Sequence, residues 1–383
     1  MNAPVSPRGF DVRNRHFDTL FNTPGLMWLG QNTNHFPTAP EVRRAMLDSI
    51  ASEDYHAYAP PAGMQALREG ILADVGLPDQ SVMVTDGGVE ALYTVCRNLC
   101  RPGDEFVTTD PGWKWPIHFS QASGAKVIEI PIYDPARNYR LQVEQLAATV
   151  TERTRAIYLV DPNNPLGVCY TDAELKAFTD IARKVGAYFI HDTTYRHFAD
   201  APALAARHYP ERTLTIYSFS KWLGLAGLRV GAIISNPDLI EVMAAAPPNN
   251  LGCNVVSQRA AIAGLAIKSR WMNDIGPRQR RNQAVIKAAA DKIPGLHIPV
   301  YPSQANFLVL EVIEAGITPE ALCMAYRERN IMIRQGSYHT PAFGHRFVKI
   351  STTVPEEWAD ALAQALPDMV AKARTIKSVE ALF

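Results

Sequence analysis

The chain has 383 residues, more than one compact core usually holds, so a large domain with a smaller companion is expected. Its 38 Lys and Arg balance 38 Asp and Glu, which leaves no basic field to gather nucleic acid or an anionic membrane surface and points to a small-molecule partner. No run of about 18 apolar residues occurs, and the opening MNAPVSPRGFDVRNRHF lacks the apolar core of a signal peptide, so no membrane span and a cytoplasmic location are expected.

Strand-like runs recur at residues 82–87, 105–109, 126–132, 156–162, 187–192, 214–220 and 230–235, with helical patterns filling most gaps. The segment TDAELKAFTDIARKVG shows the logic. Thr171 and Glu174 form a candidate capping box, Leu175, Phe178, Ile181, Ala182 and Val185 recur at the helical period, and Gly186 supplies the stop. Strands apolar on both faces and separated by helices predict an α/β domain with a mainly parallel sheet covered on both sides. Beyond about residue 254 the pattern changes. A long helical stretch, expected to break or bend near Gly276-Pro277, leads to strands at ANFLVLEV, IMIRQGS and FVKIST with helices at PEALCMAYRERN and PEEWADALAQAL. This reads as a smaller α+β domain, and the cleft between the two is the expected ligand site.

Cys96, Cys100, Cys169, Cys253 and Cys323 are scattered in apolar surroundings and read as reduced core thiols. His191 and His197 flank an aspartate and a tyrosine without any metal-ligand spacing, so no metal is expected. The run YSFSKWLGLAGLRVGAI, by contrast, places Lys221 and Arg229 in an apolar stretch with Ser218, Ser220 and three glycines. Two hydroxyls and a guanidinium suit a phosphate. A lysine beside a phosphate but outside any P-loop suggests a phosphorylated carbonyl cofactor held as a Schiff base, and no dinucleotide fingerprint is present.

The pattern S-x-S-K followed by an arginine eight positions after the lysine resembles the fold type I pyridoxal-phosphate enzymes, specifically the class I/II aminotransferases. YAPPAG, TDGGVEAL, DPGW, DPNNPLG, HDTTY and SFSKWLGLAGLRVG follow in the family order. The resemblance implies a mainly parallel seven-stranded sheet between helices in a large domain, 46–265, preceded by an N-terminal arm, 1–45, and followed by a small α+β domain, 266–383. It implies pyridoxal 5′-phosphate bound through Lys221, which would also move the proton on the substrate. Asp192 would face the pyridinium nitrogen, Tyr195 and Asn164 the ring 3-oxygen, and Trp113 the ring face. Gly88 and Val89 at a helix start, with Ser218, Ser220 and Arg229, would form the phosphate cup, and Tyr58 would reach a neighbour's phosphate across a homodimer with shared sites. The implied reaction exchanges an amino group between an amino acid or related amine and a 2-oxo acid. A lyase, cyclase or decarboxylase on the same scaffold is the alternative.

One position departs from the pattern. The strand that usually carries the carboxylate-gripping arginine reads RFVKIST, which puts Lys349 there as the expected substrate contact. Arg346 lies at an odd offset and points to the other strand face, while Arg334 and Lys114 are further candidate anion contacts.

Overall fold

The computed structural model of the chain describes residues 8–377 and 379; the first seven residues of the expected N-terminal arm lie outside them. Twelve strands follow one another as β1 (Met27–Trp28), β2 (Ser81–Thr85), β3 (Glu105–Asp110), β4 (Lys126–Pro131), β5 (Thr154–Val160), β6 (Tyr188–Asp192), β7 (Thr213–Ser218), β8 (Gly231–Ser235), β9 (Phe307–Glu311), β10 (Ile331–Met332), β11 (Arg334–Gln335) and β12 (Phe347–Ser351). Seven form one sheet in the order β2-β8-β7-β6-β5-β3-β4, parallel except for β8, which runs antiparallel to both its neighbours. Every residue of β7 and β8 is buried, as the two-sided apolar runs require.

Local signals explain several boundaries. The helix Asp172–Val185 starts on a formed Thr171–Glu174 capping box and ends at Gly186, whose φ of 68° is the left-handed conformation glycine adopts without a Cβ penalty. The break expected near Gly276-Pro277 is absent. One helix runs Val255–Ala266, the chain turns at Ile267, and a second runs unbroken through Pro277 from Lys268 to Ala290. Pro277 is exposed, as is Asn273 one turn earlier, so the carbonyl the proline leaves without a partner faces water. The opposite face is stitched down: Asn282 Nδ2 donates to the carbonyls of Thr352 and Val354 at 3.0 and 2.8 Å, and Arg278 forks onto Glu356 at 2.5 and 2.8 Å.

The C-terminal part is built on the antiparallel sheet β11-β12-β9, packed through Leu308, Leu310, Val348 and Ile350 against the helices Pro319–Arg327 and Glu356–Ala373. The expected strand IMIRQGS divides in two: β10 pairs with β1 near the N-terminus, and β11 pairs with β12. The N-terminal segment is thereby laced into this part of the fold, with Leu29 N donating to Met332 O at 2.8 Å and Ser351 N to Leu29 O at 2.6 Å. It then carries Gln31 and Asn32 over the carboxyl ends of the parallel strands, where open α/β sheets place their ligands. No helix among the described residues is long and apolar enough to cross a membrane.

Candidate active site

A cavity of about 220 Å³ opens at those carboxyl ends, between the large sheet and β11-β12. Lys221 enters it just past the end of β7, its Nζ 3.4 Å from the carbonyl of Gln31. Burial, with the Arg229 guanidinium adding to it and Asp192 opposing, lowers the Lys221 ammonium to about 8, so this amine sheds its proton far more readily than an ordinary lysine. Asp192 closes β6, 3 % exposed, and its two oxygens accept from Tyr158 Oη at 3.0 Å and from Thr194 N at 3.1 Å. Burial pushes its carboxyl up, while the Thr194 and Tyr158 hydrogen bonds act against that rise. A carboxylate held in this way keeps one face toward the cavity.

The opposite end of the cavity is a cup of donors. Gly88 and Val89 begin the helix Gly88–Leu99, whose first N–H groups have no partner within the helix. Arg229 adopts φ 53° and its Nη1 and Nη2 donate to the carbonyls of Ala226 and Asp86 at 2.8 and 3.0 Å, which lays the guanidinium over Gly87. Gly231 is needed here, since a Cβ on it would stand 2.8 Å from the backbone of Gly87 and Gly88 and from the carbonyl of Tyr217. Ser218 and Ser220 line the same wall, with Ser218 Oγ accepting from Ser220 N at 3.2 Å and its own proton left to donate.

Between these ends stand Asn164, Trp113 and Tyr195. Asn164 is 2 % exposed with its Oδ1 unpartnered, so this amide has bonding capacity aimed at no protein group. Tyr195 receives Asn32 Nδ2 on its hydroxyl at 3.0 Å and packs edge-on against Phe307, and burial holds its phenol well above the usual value. Trp113 lines the cavity 6.4 Å from the ring of Tyr338.

Lys349 points into the same cavity from β12, directly across from Arg334 on β11, both nearly fully buried. Arg346 is engaged elsewhere: its guanidinium pairs with Glu311 and lies 5.8 Å from the ring of Tyr133. Lys114 does not line the cavity but sits 3.9 Å over the Tyr338 ring, which Arg334 also approaches at 4.4 Å. Of the residues expected to hold the cofactor, Tyr58 is not brought to the cavity of its own chain; it stands 80 % exposed. Tyr158, Thr194, Gln31, Asn32 and Tyr338 were not legible beforehand. Tyr158 carried the one available signal, a polar ring at a position of β5 that pairs with β6 two residues before Asp192.

All five cysteines are free, four of them buried. His191 bridges Asp161 and the backbone N–H of Ala205, both at 3.3 Å, so it is a structural link under β6. One trio of potential metal ligands exists among the described residues, Asp86, Glu90 and Cys253, within 4.8 Å of one another. Glu90 already accepts from the Asp86 backbone N–H, and the trio has no other feature of a metal site.

The sequence pattern described as Aminotransferase class I and II matches residues 24–366. The chain belongs to the class I and II aminotransferase family. That family is pyridoxal-phosphate-dependent, and the protein is an aminotransferase of it. It is 26 % identical over 310 residues to histidinol-phosphate aminotransferase of Methanosphaera stadtmanae, covering 81 % of each chain. It is 27 % identical over 320 residues to aromatic amino acid aminotransferase of Rhodococcus jostii, covering 82 % of this chain and 84 % of the relative. N-succinyldiaminopimelate aminotransferase from Mycobacterium tuberculosis superposes with a TM-score of 0.83 at 25 % identity over 94 % of this chain and 97 % of that one. Thermus thermophilus aspartate aminotransferase with maleate does so at 0.81 and 22 % identity, covering 94 % and 96 %. The aminotransferase fold expected from the motifs, a seven-stranded α/β sheet with a smaller C-terminal domain, is therefore the fold of this enzyme.

Proposed function

We propose that the cavity holds pyridoxal 5′-phosphate and that the enzyme uses it to pass an amino group from an amino acid or related amine to a 2-oxo acid. The observation that carries this reading is the placement of the Lys221 amine and the Asp192 carboxylate in one cavity whose far end is the Gly88–Arg229 cup. The residues fit the group. The backbone N–H groups of Gly88 and Val89 with Ser218, Ser220 and Arg229 suit a phosphate dianion, and Asp192 suits a protonated ring nitrogen. The unused capacity of Asn164 and the hydroxyl of Tyr195 suit the ring oxygen, and Trp113 offers an aromatic face. When bound, the cofactor supplies an aldehyde that condenses with amines and a ring that draws electrons from the substrate carbon.

The chain's own residues do the rest. Asp192, braced by Tyr158 and Thr194, holds positive charge at the ring nitrogen. Lys221 Nζ, with its lowered proton affinity, would take the proton from the substrate α-carbon and deliver it to the former aldehyde carbon of the cofactor within the first half-reaction, and would run the same transfer in reverse in the second. Lys349 grips the substrate carboxylate from β12, and Gln31 and Asn32 close the cavity above it. Tyr58, 80 % exposed and close in sequence to no cavity residue, serves the phosphate of a second copy, which makes the working unit a homodimer with shared sites. The lacing of β1 onto β10 supports counting residues 1–45 with the small domain 266–383 and residues 46–265 as the cofactor domain. The absence of a membrane-length apolar helix among the described residues fits action in the cytoplasm.

Reduction of the purified enzyme with borohydride should abolish its cofactor absorption band and leave a pyridoxyl label on the Lys221 peptide. A donor screen against pyruvate and 2-oxoglutarate, scoring keto acid, ammonia and carbon dioxide separately, should give keto acid that depends on the acceptor. A label on another lysine, or ammonia without acceptor dependence, overturns the proposal.

A further inference from the structure

Lys349 is an ammonium-bearing residue in a place built to refuse a lone ammonium. It is 3 % exposed, and among the described residues its Nζ has no hydrogen bond and no ion pair. Its Nζ lies over the ring of Phe307 on β9, 5.5 Å from the centroid, a weak attraction for an ammonium, and directly across the ladder on β11 stands Arg334. Two like charges directly opposed on neighbouring strands disfavour each other, and burial strengthens the effect. The other titratable groups around it give no relief. Lys221 shares the cavity from the end of β7 and repels a charge on Lys349. His339, after β11, is buried beside it with both ring nitrogens unpartnered, and burial first, then Lys349, Arg334 and Lys114, pushes that imidazole toward the neutral form. Asp192, the carboxylate of the cavity, acts on Lys221, while burial keeps the phenol of Tyr195 from offering a negative charge.

An arginine in this position would be charged at every working pH, and any substrate without an anion would leave that charge buried and unpaired at a cost of several kcal/mol. A lysine can shed its proton instead. Building on the reading of Lys349 as the carboxylate contact, we propose that this aminotransferase takes two classes of donor at one site: α-amino acids, bound with Lys349 as the ammonium, and primary amines that carry no carboxylate, bound with Lys349 as the neutral amine. Burial and the facing cations lower the Lys349 ammonium far below its ordinary value, which favours the neutral form in the fold.

The reaction balances without a further reagent. The C–N bond of the amine R–CH2–NH2 breaks and its carbon, losing one hydrogen and two electrons, becomes the carbonyl of an aldehyde. The nitrogen bonds to the carbonyl carbon of the 2-oxo acid, which gains a hydrogen and two electrons and loses its oxygen as water, balancing the water that supplies the aldehyde oxygen.

Matched donors test this: 2-aminobutyrate with 1-aminopropane, and phenylalanine with 2-phenylethylamine, each followed by the spectral change of the holoenzyme in the first half-reaction and by aldehyde or keto acid formed with pyruvate. The wild-type enzyme should react with at least one of the amines. The ratio of kcat/KM for amine over amino acid should rise roughly tenfold per pH unit, carried by the rise of the amine below the Lys349 transition and by the fall of the amino acid above it. Lys349→Arg should keep the amino acids, lose the amines and show a flat ratio, while Lys349→Met should keep the amines and lose the amino acids. Calorimetry with propionate in two buffers of different ionisation heat gives a readout without turnover: about one proton taken up per carboxylate bound to wild type, and none with Lys349→Arg. Amines inert with the wild-type enzyme, amines accepted by Lys349→Arg, or carboxylate binding without proton uptake would each overturn the inference while leaving the carboxylate contact standing. Unchanged amino-acid kinetics and propionate affinity in Lys349→Met would instead remove the contact itself.

Discussion

Replacing Tyr158 by phenylalanine tests whether Asp192 works through its charge. Tyr158 lies on β5, 1 % exposed, with its ring 6.1 Å from that of Phe106 and its hydroxyl 3.0 Å from Asp192 Oδ2. Phenylalanine fills the same volume, so the fold should survive at a cost of about 1 kcal/mol. A hydrogen bond to a charged group contributes about 1.5–3 kcal/mol, and one pKa unit corresponds to about 1.36 kcal/mol, so removing the Tyr158 hydroxyl should raise the Asp192 carboxyl by roughly one to two units. Burial already pushes that carboxyl upward, and Tyr158 is one of the groups holding it down, so the change adds to the existing direction. Asp192 is anionic only above its pKa. The acid limb of the kcat/KM profile should therefore move to higher pH by roughly one to two units, with an alkaline plateau within about twofold of wild type. The assay is the first half-reaction followed by cofactor absorbance over a pH series, with circular dichroism to show that the variant is folded. A folded Tyr158→Phe enzyme whose acid limb does not move would refute the reasoning.

Three further outcomes are expected. Gly231→Ala forces a Cβ to within 2.8 Å of three backbone atoms of the cup, so it should lower the melting temperature and loosen the cofactor, read as faster loss of the absorption band on dialysis. If Tyr58 serves the neighbour's site, Tyr58→Ala and Lys221→Ala homodimers should each be impaired, and mixing them under exchange conditions should restore activity to about a quarter of the sites; a mixture no better than its parts refutes sharing. Because the Lys349 ammonium is disfavoured in the fold but not in the unfolded chain, the unfolded state binds the extra proton. The stability of the cofactor-free protein relative to Lys349→Met should then rise with pH from the lowered Lys349 value up to about 10.4, measured as the difference in melting temperature across a pH series.

The elements with strong local chemistry were legible from the chain alone. The capping box of Thr171 and Glu174, the stop at Gly186 and the doubly apolar strands follow from short-range hydrogen bonding and hydrophobic period, which a sequence displays directly. So did the contents of the cup, because Lys221, Ser218, Ser220 and Arg229 sit within twelve residues of one another and Asp192 ends a recognisable strand. Tertiary packing decided the rest. Pro277 lies inside an unbroken helix because the carbonyl it leaves without a partner faces water and the other face is pinned by Asn282 and Arg278, facts of distant segments that no local pattern contains. Tyr158 and Asn32 became partners of Asp192 and Tyr195 across 34 and 163 residues of chain. The sequence could place Lys349 on a strand, but only the pairing of β11 with β12 set Arg334 opposite it, and only burial left its ammonium without an ion pair among the described residues; the proton affinity of a side chain is a property of its surroundings, and surroundings are made by the fold.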